Sequence, residues 1–324
     1  MNSLENFKSI IRECSYDNTY KMAFARSLVQ LSLTKDLSNE NIVITLEEIA
    51  RLYINYYWDQ TIHFDLIQGS NPIKPPRIIS LVKELINDYK LDVENNKPMF
   101  FHNAEIVLVT RLEKKYNKCI KNVISVLKQD VSYRFIYLNK QVYSNIYLYN
   151  QGDNQLIINN SLLKEFNINH RDLFDLIDYR WGLILETYNS SPRINKKIKI
   201  IDEKDIKRSN LTKFKKYLDI QNSEHCCFIC NKKIESDDLT IDHVIPWSYL
   251  YSDDIWNLVY ACKSCNSSKN NKLVDQDIIN KLNKRNIDLL NLLEIKDLKD
   301  KKYSELKLAI DNKYVDKFYI SSKL

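Results

Sequence analysis

Residues 225–272 read HCCFICNKKIESDDLTIDHVIPWSYLYSDDIWNLVYACKSCNSSKNNK, and this stretch decides what the C-terminal part of the chain can become. Two CxxC pairs, Cys227/Cys230 and Cys262/Cys265, are separated by 31 residues. Each pair offers two thiolates to one ion, and two pairs complete the closed tetrahedral shell of a structural zinc. The separation exceeds the usual ribbon spacing of about 15–20 residues, so something is inserted between the halves. Cys226 adjoins the first pair, but CxxC geometry favours Cys227 as the ligand.

The insertion carries the reactive groups. LTID (239–242) reads as a short strand leading into His243, and Pro246 ends strand pairing soon after. NLVY (257–260) reads as the returning strand, and residues 263–272 as a short helix bearing Lys263, Asn266, Lys269 and Lys272. Strand, loop, strand and helix, pinned by zinc, bring Asp242, His243 and Asn266 together. Asp253 and Asp254 read as caps of the turn before Ile255. Trp247 and Trp256 read as packing around a small domain.

On these residues the segment resembles the HNH endonuclease family in its four-cysteine, zinc-bound form. The string DHVIPWSYLYSDDIWNLVY is also similar to the HNH domain of CRISPR effector nucleases. The resemblance is confined to the C-terminal part and implies a ββα-metal finger there. It implies that His243 is the general base that deprotonates the attacking water. Asp242 matches the acid that coordinates a catalytic divalent ion, and Asn266 matches the second ligand to that ion. Asn257 matches the central asparagine, which holds the hairpin and the base in place by hydrogen bonds. The family often has glycine near its knuckles; here Asn231 follows the first one, and asparagine tolerates left-handed backbone.

The chemistry stands on its own terms. A phosphodiester needs an in-line nucleophile, relief of charge on the phosphate and help for the leaving oxygen. A neutral imidazole can deprotonate water near neutral pH, and one Mg²⁺ or Mn²⁺ can serve the phosphate and the leaving group. Asp242 with a neutral asparagine leaves such an ion open to substrate oxygens. The four soft thiolates select zinc instead.

Outside this segment the charge pattern is uneven. Residues 193–216 hold ten Lys or Arg against three acids, a net +7, whereas the whole chain is +6. Positive charge is thus concentrated directly before the cysteine cluster. Beside a phosphodiester site it reads as contact with the nucleic acid backbone, through Lys196, Lys197, Lys199, Lys207 and Arg208. Lys263, Lys269 and Lys272 are placed to add contacts from the finger.

The first 130 residues read as helices. Apolar positions recur at helical spacing over 19–33 and over 45–58, the second opened by a Thr45/Glu48 capping box. Pro72, Pro75 and Pro76 mark a loop before helices at 77–90 and 104–127. YRFIYL and VYSNIYLY alternate across Asn139–Lys140–Gln141, which predicts a β-hairpin within 133–158, with QLIIN available as another strand. Its aromatics (Tyr133, Phe135, Tyr137, Tyr143, Tyr147, Tyr149) read first as core against a helix, with stacking on splayed bases as the alternative. Helical spacing returns over 160–188 and in the last 50 residues.

The expected fold is mainly α with a small β-hairpin region (α+β), ending in the zinc-bound finger. The expected organisation is a helical recognition or regulatory domain (1–190), a basic linker (191–216) and a nuclease domain (217–324). Only three glycines occur, so neither a dinucleotide fingerprint nor a P-loop can be built, and no nucleotide cofactor is expected. No apolar run reaches 18 residues, and MNSLENFKSIIREC lacks a signal-peptide core, so a cytoplasmic chain without membrane contact is expected. The expected activity is metal-dependent cleavage of double-stranded DNA, in restriction or anti-phage defence. The alternatives are a nuclease subunit whose protein partner or second copy senses the target, and a zinc finger that binds DNA without cutting.

Overall fold

Apolar residues at helical spacing become a helical bundle over the first 199 residues. The computed structural model describes residues 2–71, 74–95, 97–189, 191–199 and 210–323. They divide into two units: 2–189 with 194–199, and 191–193 with 210–323.

The first unit contains α1 (Ser3–Glu13), α2 (Tyr20–Ser32), α3 (Leu46–Phe64), α4 (Arg77–Asp92), α5 (Phe101–Thr110), α6 (Glu113–Val126), α7 (Asn160–Ile168), α8 (His170–Tyr188) and α9 (Ile194–Ile198). The expected capping box opens α3: Thr45 Oγ1 accepts from the Glu48 N–H, and the Glu48 carboxylate accepts from the Thr45 N–H. That pairing satisfies two backbone donors at the helix start. Helix α2 runs through the core, with Met22, Phe24, Leu28 and Val29 fully buried. Tyr53, Tyr57 and Trp58 of α3 face the same core.

Three expectations meet corrections here. The helix expected over 104–127 is two helices, because Phe101, Ala104 and Leu108 of α5 and Tyr116, Ile120 and Val123 of α6 bury separate faces, with the chain turning at Arg111–Leu112. The hairpin shrinks to a two-residue ladder, β2 (Tyr137–Leu138) with β3 (Gln141–Val142). Asn139 and Lys140 form its turn at φ 50° and 66°, the left-handed pair that suits strand twist. Longer pairing is lost because the flanking aromatics turn inward: Phe135 packs between Phe7, Phe24 and Tyr147, and the Tyr147 hydroxyl donates to the Ser132 carbonyl. Phe135 and Tyr147 are therefore core, not a stacking surface. QLIIN does form a strand, β4 (Gln155–Asn159), but its antiparallel partner is β1 (Asn41–Thr45), far away in sequence. Ile42, Ile44, Leu156 and Ile158 point into the core from that pair, while Val43 is exposed. The third correction concerns the linker. Helix α9 packs within the first unit, with Ile194, Lys197 and Ile198 buried.

The second unit contains α10 (Lys215–Gln221), β5 (Leu239–His243), α11 (Trp247–Leu250), β6 (Leu258–Cys262), α12 (Lys263–Lys269), α13 (Gln276–Ile295), α14 (Lys301–Asp311) and α15 (Tyr314–Lys323). Ile279, Leu282, Leu289 and Leu293 make α13 the centre of its core. Trp256 packs on Tyr314 and Phe318 of α15. The chain is α+β, mostly helical with small antiparallel strand pairs. Among the described residues no helix is long and apolar enough to cross a membrane.

Candidate active site

The first knuckle is shaped by backbone bonds. Cys227 N donates to Lys232 O at 2.8 Å and Asn231 N to Cys227 O at 2.9 Å. Asn231 takes φ 61°, the left-handed backbone expected where no glycine stands. The second knuckle comes from the end of β6 and the start of α12. Strand pairing from Leu239↔Cys262 to His243↔Leu258 places it at one end of the β5–β6 ladder and His243 at the other.

The Sγ atoms of Cys227, Cys230, Cys262 and Cys265 lie within 4.8 Å of one another. A tetrahedron with zinc–sulfur bonds of about 2.3 Å has edges near 3.8 Å, so a small contraction closes this cluster around the ion. Cys226 stays outside it. Burial raises the Cys227 thiol, but the N–H groups of Cys230, Cys262 and Ile229 outweigh burial and bring it down to about 7. Burial and the neighbouring thiols push Cys265 up to about 12. Four crowded thiols cannot all ionise without a cation among them, and a zinc ion supplies that charge.

Between the knuckles, β5 delivers Asp242 and His243. Asn257 is fully buried, accepting from Ile245 N and donating to Ile245 O, both at 2.8 Å. These two bonds tie the exit of β5 to the entry of β6. His243 N donates to Asp242 Oδ1 at 2.8 Å. The His243 imidazole meets Asp253, with Nε2 to Oδ1 at 2.9 Å. A carboxylate only accepts, so Nε2 is the donor in this pair and Nδ1 is the ring nitrogen left outside it.

Thr240 and Asp242, two apart on β5, share a strand face. Asn266 and Lys269, three apart on α12, share a helix face. The two faces meet: Asn266 Nδ2 donates to Thr240 Oγ1 at 3.2 Å, and Lys269 Nζ pairs with Asp242 Oδ2 at 3.2 Å. Thr240 spends its hydroxyl proton on Ala261 O, so Asn266 must present its amide nitrogen there, leaving Oδ1 as the acceptor for a ligand. Asp242 Oδ2 is buried with no hydrogen-bond partner; the Lys269 contact is an ion pair without hydrogen-bond alignment. An oxygen in that state fits a cation, and Asp242 and Asn266 are the residues that would hold it.

The residues expected at DNA separate. Lys263 and Lys272 are exposed on the second unit. Lys269 is turned into the site, its side chain 7% exposed. Lys196 and Lys199 are exposed on the first unit, Lys199 paired with Asp175 at 2.6 Å. Lys197 is a correction: it is 1% exposed, because α9 docks on that side. Lys207 and Arg208 lie outside the described residues.

Two family models match the chain. Residues 1–199 match a domain of unknown function (DUF8808). The chain belongs to the DUF8808 family. Residues 227–283 match the HNH endonuclease family, beginning on the first zinc ligand and ending within α13. No curated protein and no solved structure matches. This DUF8808 chain therefore carries an HNH endonuclease domain with a four-cysteine cluster that fits zinc.

Three residues of the site were not legible in the DUF8808 sequence as parts of it. Asp253 is the partner of His243, not a turn cap; Glu305 of α14 accepts from Ile255 N at 2.8 Å instead. Its only sign was a pair of acids ten residues after the histidine. Arg285 and Asn286 of α13 donate to the carbonyls of Ile255, Leu258 and Trp256, fixing the segment that carries Asn257. Burial among these carbonyls lowers Arg285 to about 9. Nothing in their local pattern separates them from an ordinary helix.

Proposed function

We propose that the chain is a metal-dependent DNA endonuclease that hydrolyses phosphodiester bonds by HNH chemistry, with the first unit reading or controlling the target. The observation that carries this reading is the pairing of His243 with Asp253 beside Asp242. A histidine whose Nε2–H is held by a carboxylate has Nδ1 directed for proton uptake, the arrangement a general base needs. Asp253 fixes the imidazole and stabilises its charge after it has taken the proton from water. Asn257 keeps the strand exit rigid, which keeps that base in register with the acceptors of Asp242 and Asn266. A bound Mg²⁺ or Mn²⁺ supplies charge relief on the phosphate and on the leaving oxygen. Lys269 neutralises Asp242 in its absence and stands close enough to meet a phosphate oxygen.

A zinc-held finger that only bound DNA would have no use for a base, a carboxylate partner and an unbonded acid oxygen in one place. A role in restriction or anti-phage defence follows from the joining of an HNH unit to a separate helical unit suited to target control. The test is cleavage of supercoiled plasmid and phage DNA by the purified chain with Mg²⁺ or Mn²⁺. His243→Ala is expected to lower the rate by about 10³-fold with zinc content unchanged. Undiminished cutting by that variant overturns the assignment of the base. A folded, zinc-loaded chain that binds DNA but never cuts it is the non-cleaving module instead.

A further inference from the structure

At the candidate site one carboxylate is already met by one ammonium. The acid is Asp242, and the second oxygen donor, the Asn266 amide, is neutral. Lys269 brings a positive charge to the same place, its Nζ 3.2 Å from Asp242 Oδ2. The other carboxylate nearby, Asp253, is engaged by the His243 imidazole. A lysine on a short helix ordinarily covers apolar surface with its stem and keeps its ammonium in water. Here the Lys269 side chain is 7% exposed, less than the 12% of the Asp242 side chain it pairs with.

The end of α12 builds this placement. Asn270 N donates to Asn266 O at 2.9 Å and closes the last turn. Asn270 itself takes φ 44°, a positive value that asparagine adopts more readily than most residues. Its carbonyl accepts from Lys269 Nζ at 3.2 Å. One donor of the ammonium is thereby spent on the backbone while the charge rests on Asp242. Lys269 stands three residues after Asn266, on the helix face that meets Thr240 and Asp242 of β5. The ammonium therefore borders both residues that would hold a divalent ion.

We propose that Lys269 couples the divalent ion to the DNA phosphate, so that each binds this site better in the presence of the other. The inference rests on the HNH reading of Asp242, His243 and Asn266. An ion of charge +2 beside an ammonium on one carboxylate leaves the site overcharged, and like charges oppose each other strongly at such range in a partly buried place. A phosphodiester brings the balancing negative charge. Its oxygens accept from an ammonium and also ligate Mg²⁺ or Mn²⁺, ions that readily keep positions for substrate oxygens. Lys269 thus weakens ion binding by the chain alone and exchanges Asp242 for the phosphate once DNA is bound. By linkage the coupling acts equally in both directions. A lysine that served only to hold α12 against β5 would leave the two ligands independent of it.

The zinc-loaded, full-length chain is titrated calorimetrically with Mn²⁺, a hard ion that does not compete for the four thiolates. Lys269→Met is expected to bind Mn²⁺ at least about ten-fold more tightly than the unaltered chain, with zinc content unchanged. Lys269→Gln keeps a donor for the Asn270 carbonyl and should show the same gain, so the test holds even where the methionine disturbs the fold. In a His243→Ala background, affinity for a fluorescent duplex of random sequence is then measured with and without saturating Mn²⁺ at constant ionic strength. The gain that Mn²⁺ produces should fall at least about ten-fold when Lys269→Met is added. Mn²⁺ affinity that is unchanged or lower in the neutral variants overturns the proposal, as does an equal Mn²⁺ gain in duplex affinity with and without Lys269. Asp242→Asn separates that failure from failure of the HNH reading. Loss of Mn²⁺ binding in this variant upholds the reading whatever Lys269 does, whereas unchanged Mn²⁺ binding removes the reading and the proposal with it.

Discussion

The two units solve the folding problem with different materials. The first buries a continuous apolar core in which α2 and α3 are lined by fully buried residues. The second has short strands and a smaller core, and its hairpin is fixed by four thiols, by Asn257 and by the Arg285 and Asn286 side chains. Where apolar area is sufficient, polar side chains are left over to line a cavity. Where it is not, buried hydrogen bonds and a four-cysteine cluster that fits zinc hold the backbone, and the candidate site sits directly on that framework. The difference predicts unequal dependence on metal. Cys262→Ala should abolish the calorimetric transition of the second unit and leave that of the first unmoved. Zinc binding in such sites is worth about 10–16 kcal/mol, comparable to or above the whole stability of a domain. A single unshifted melt with full zinc content would erase the contrast. Chelation of the unaltered chain should reproduce the variant.

A second comparison lies within the site, between His243, proposed to take the proton, and Asp253, proposed to orient it. Asp253→Asn lets an amide face Nε2 and draws the proton toward Nδ1, where the base should be empty. We expect cleavage slower by about 10–100-fold, with KM, zinc content and melting temperature unchanged. Loss of zinc or a lower melt would make Asp253 a structural residue only.

These cases mark how far the sequence could be read. The four-cysteine cluster and the placing of Asp242, His243 and Asn266 on one strand–strand–helix element were legible because paired cysteines and a DH dipeptide stand at specific spacing. The long helices were legible because burial repeats at their own period, as the capping box of α3 illustrates. Pairing of β1 with β4 was not, since strands joined across more than a hundred residues leave no local mark. Tyr147 alternates as a strand residue would, yet its hydroxyl bond to Ser132 draws it inward and cuts the hairpin short. Arg285 and Lys197 look like solvated charges, and only the folded chain reveals Arg285 under β6 and Lys197 buried on α9 itself.

The first unit has its own electrostatic weak point, and it responds to pH where a zinc-held unit responds to metal. Asp59 has a folded pKa of about 7, above its ordinary value of 3.8, so the native state holds a proton that the unfolded chain releases. Stability from this group is complete below about pH 4 and falls by up to about 1.4 kcal/mol per pH unit until about pH 7. Asp59→Asn retains an acceptor for Phe101 N and cannot ionise. Its first-unit transition should melt a few degrees above the unaltered chain at pH 8, with the gap closing toward pH 4. Equal gaps at both pH values would place the effect in packing rather than charge.

The smallest effect separates the units as DNA surfaces. Lys263 and Lys272 are exposed beside the site, whereas on the first unit Lys199 is already paired and Lys197 is buried. A cation that must leave a carboxylate to meet a phosphate gains less than one held only by water, so the finger should give the larger salt response. Replacing Lys263 and Lys272 by glutamine should reduce the slope of log affinity against log salt by about 0.9 for each phosphate that is no longer neutralised. Lys199→Gln should move the slope less, because removing it releases Asp175 and adds a negative charge to the same surface. An equal or greater change at Lys199 would mean that the first unit also lies along the duplex, with Asp175 displaced on binding.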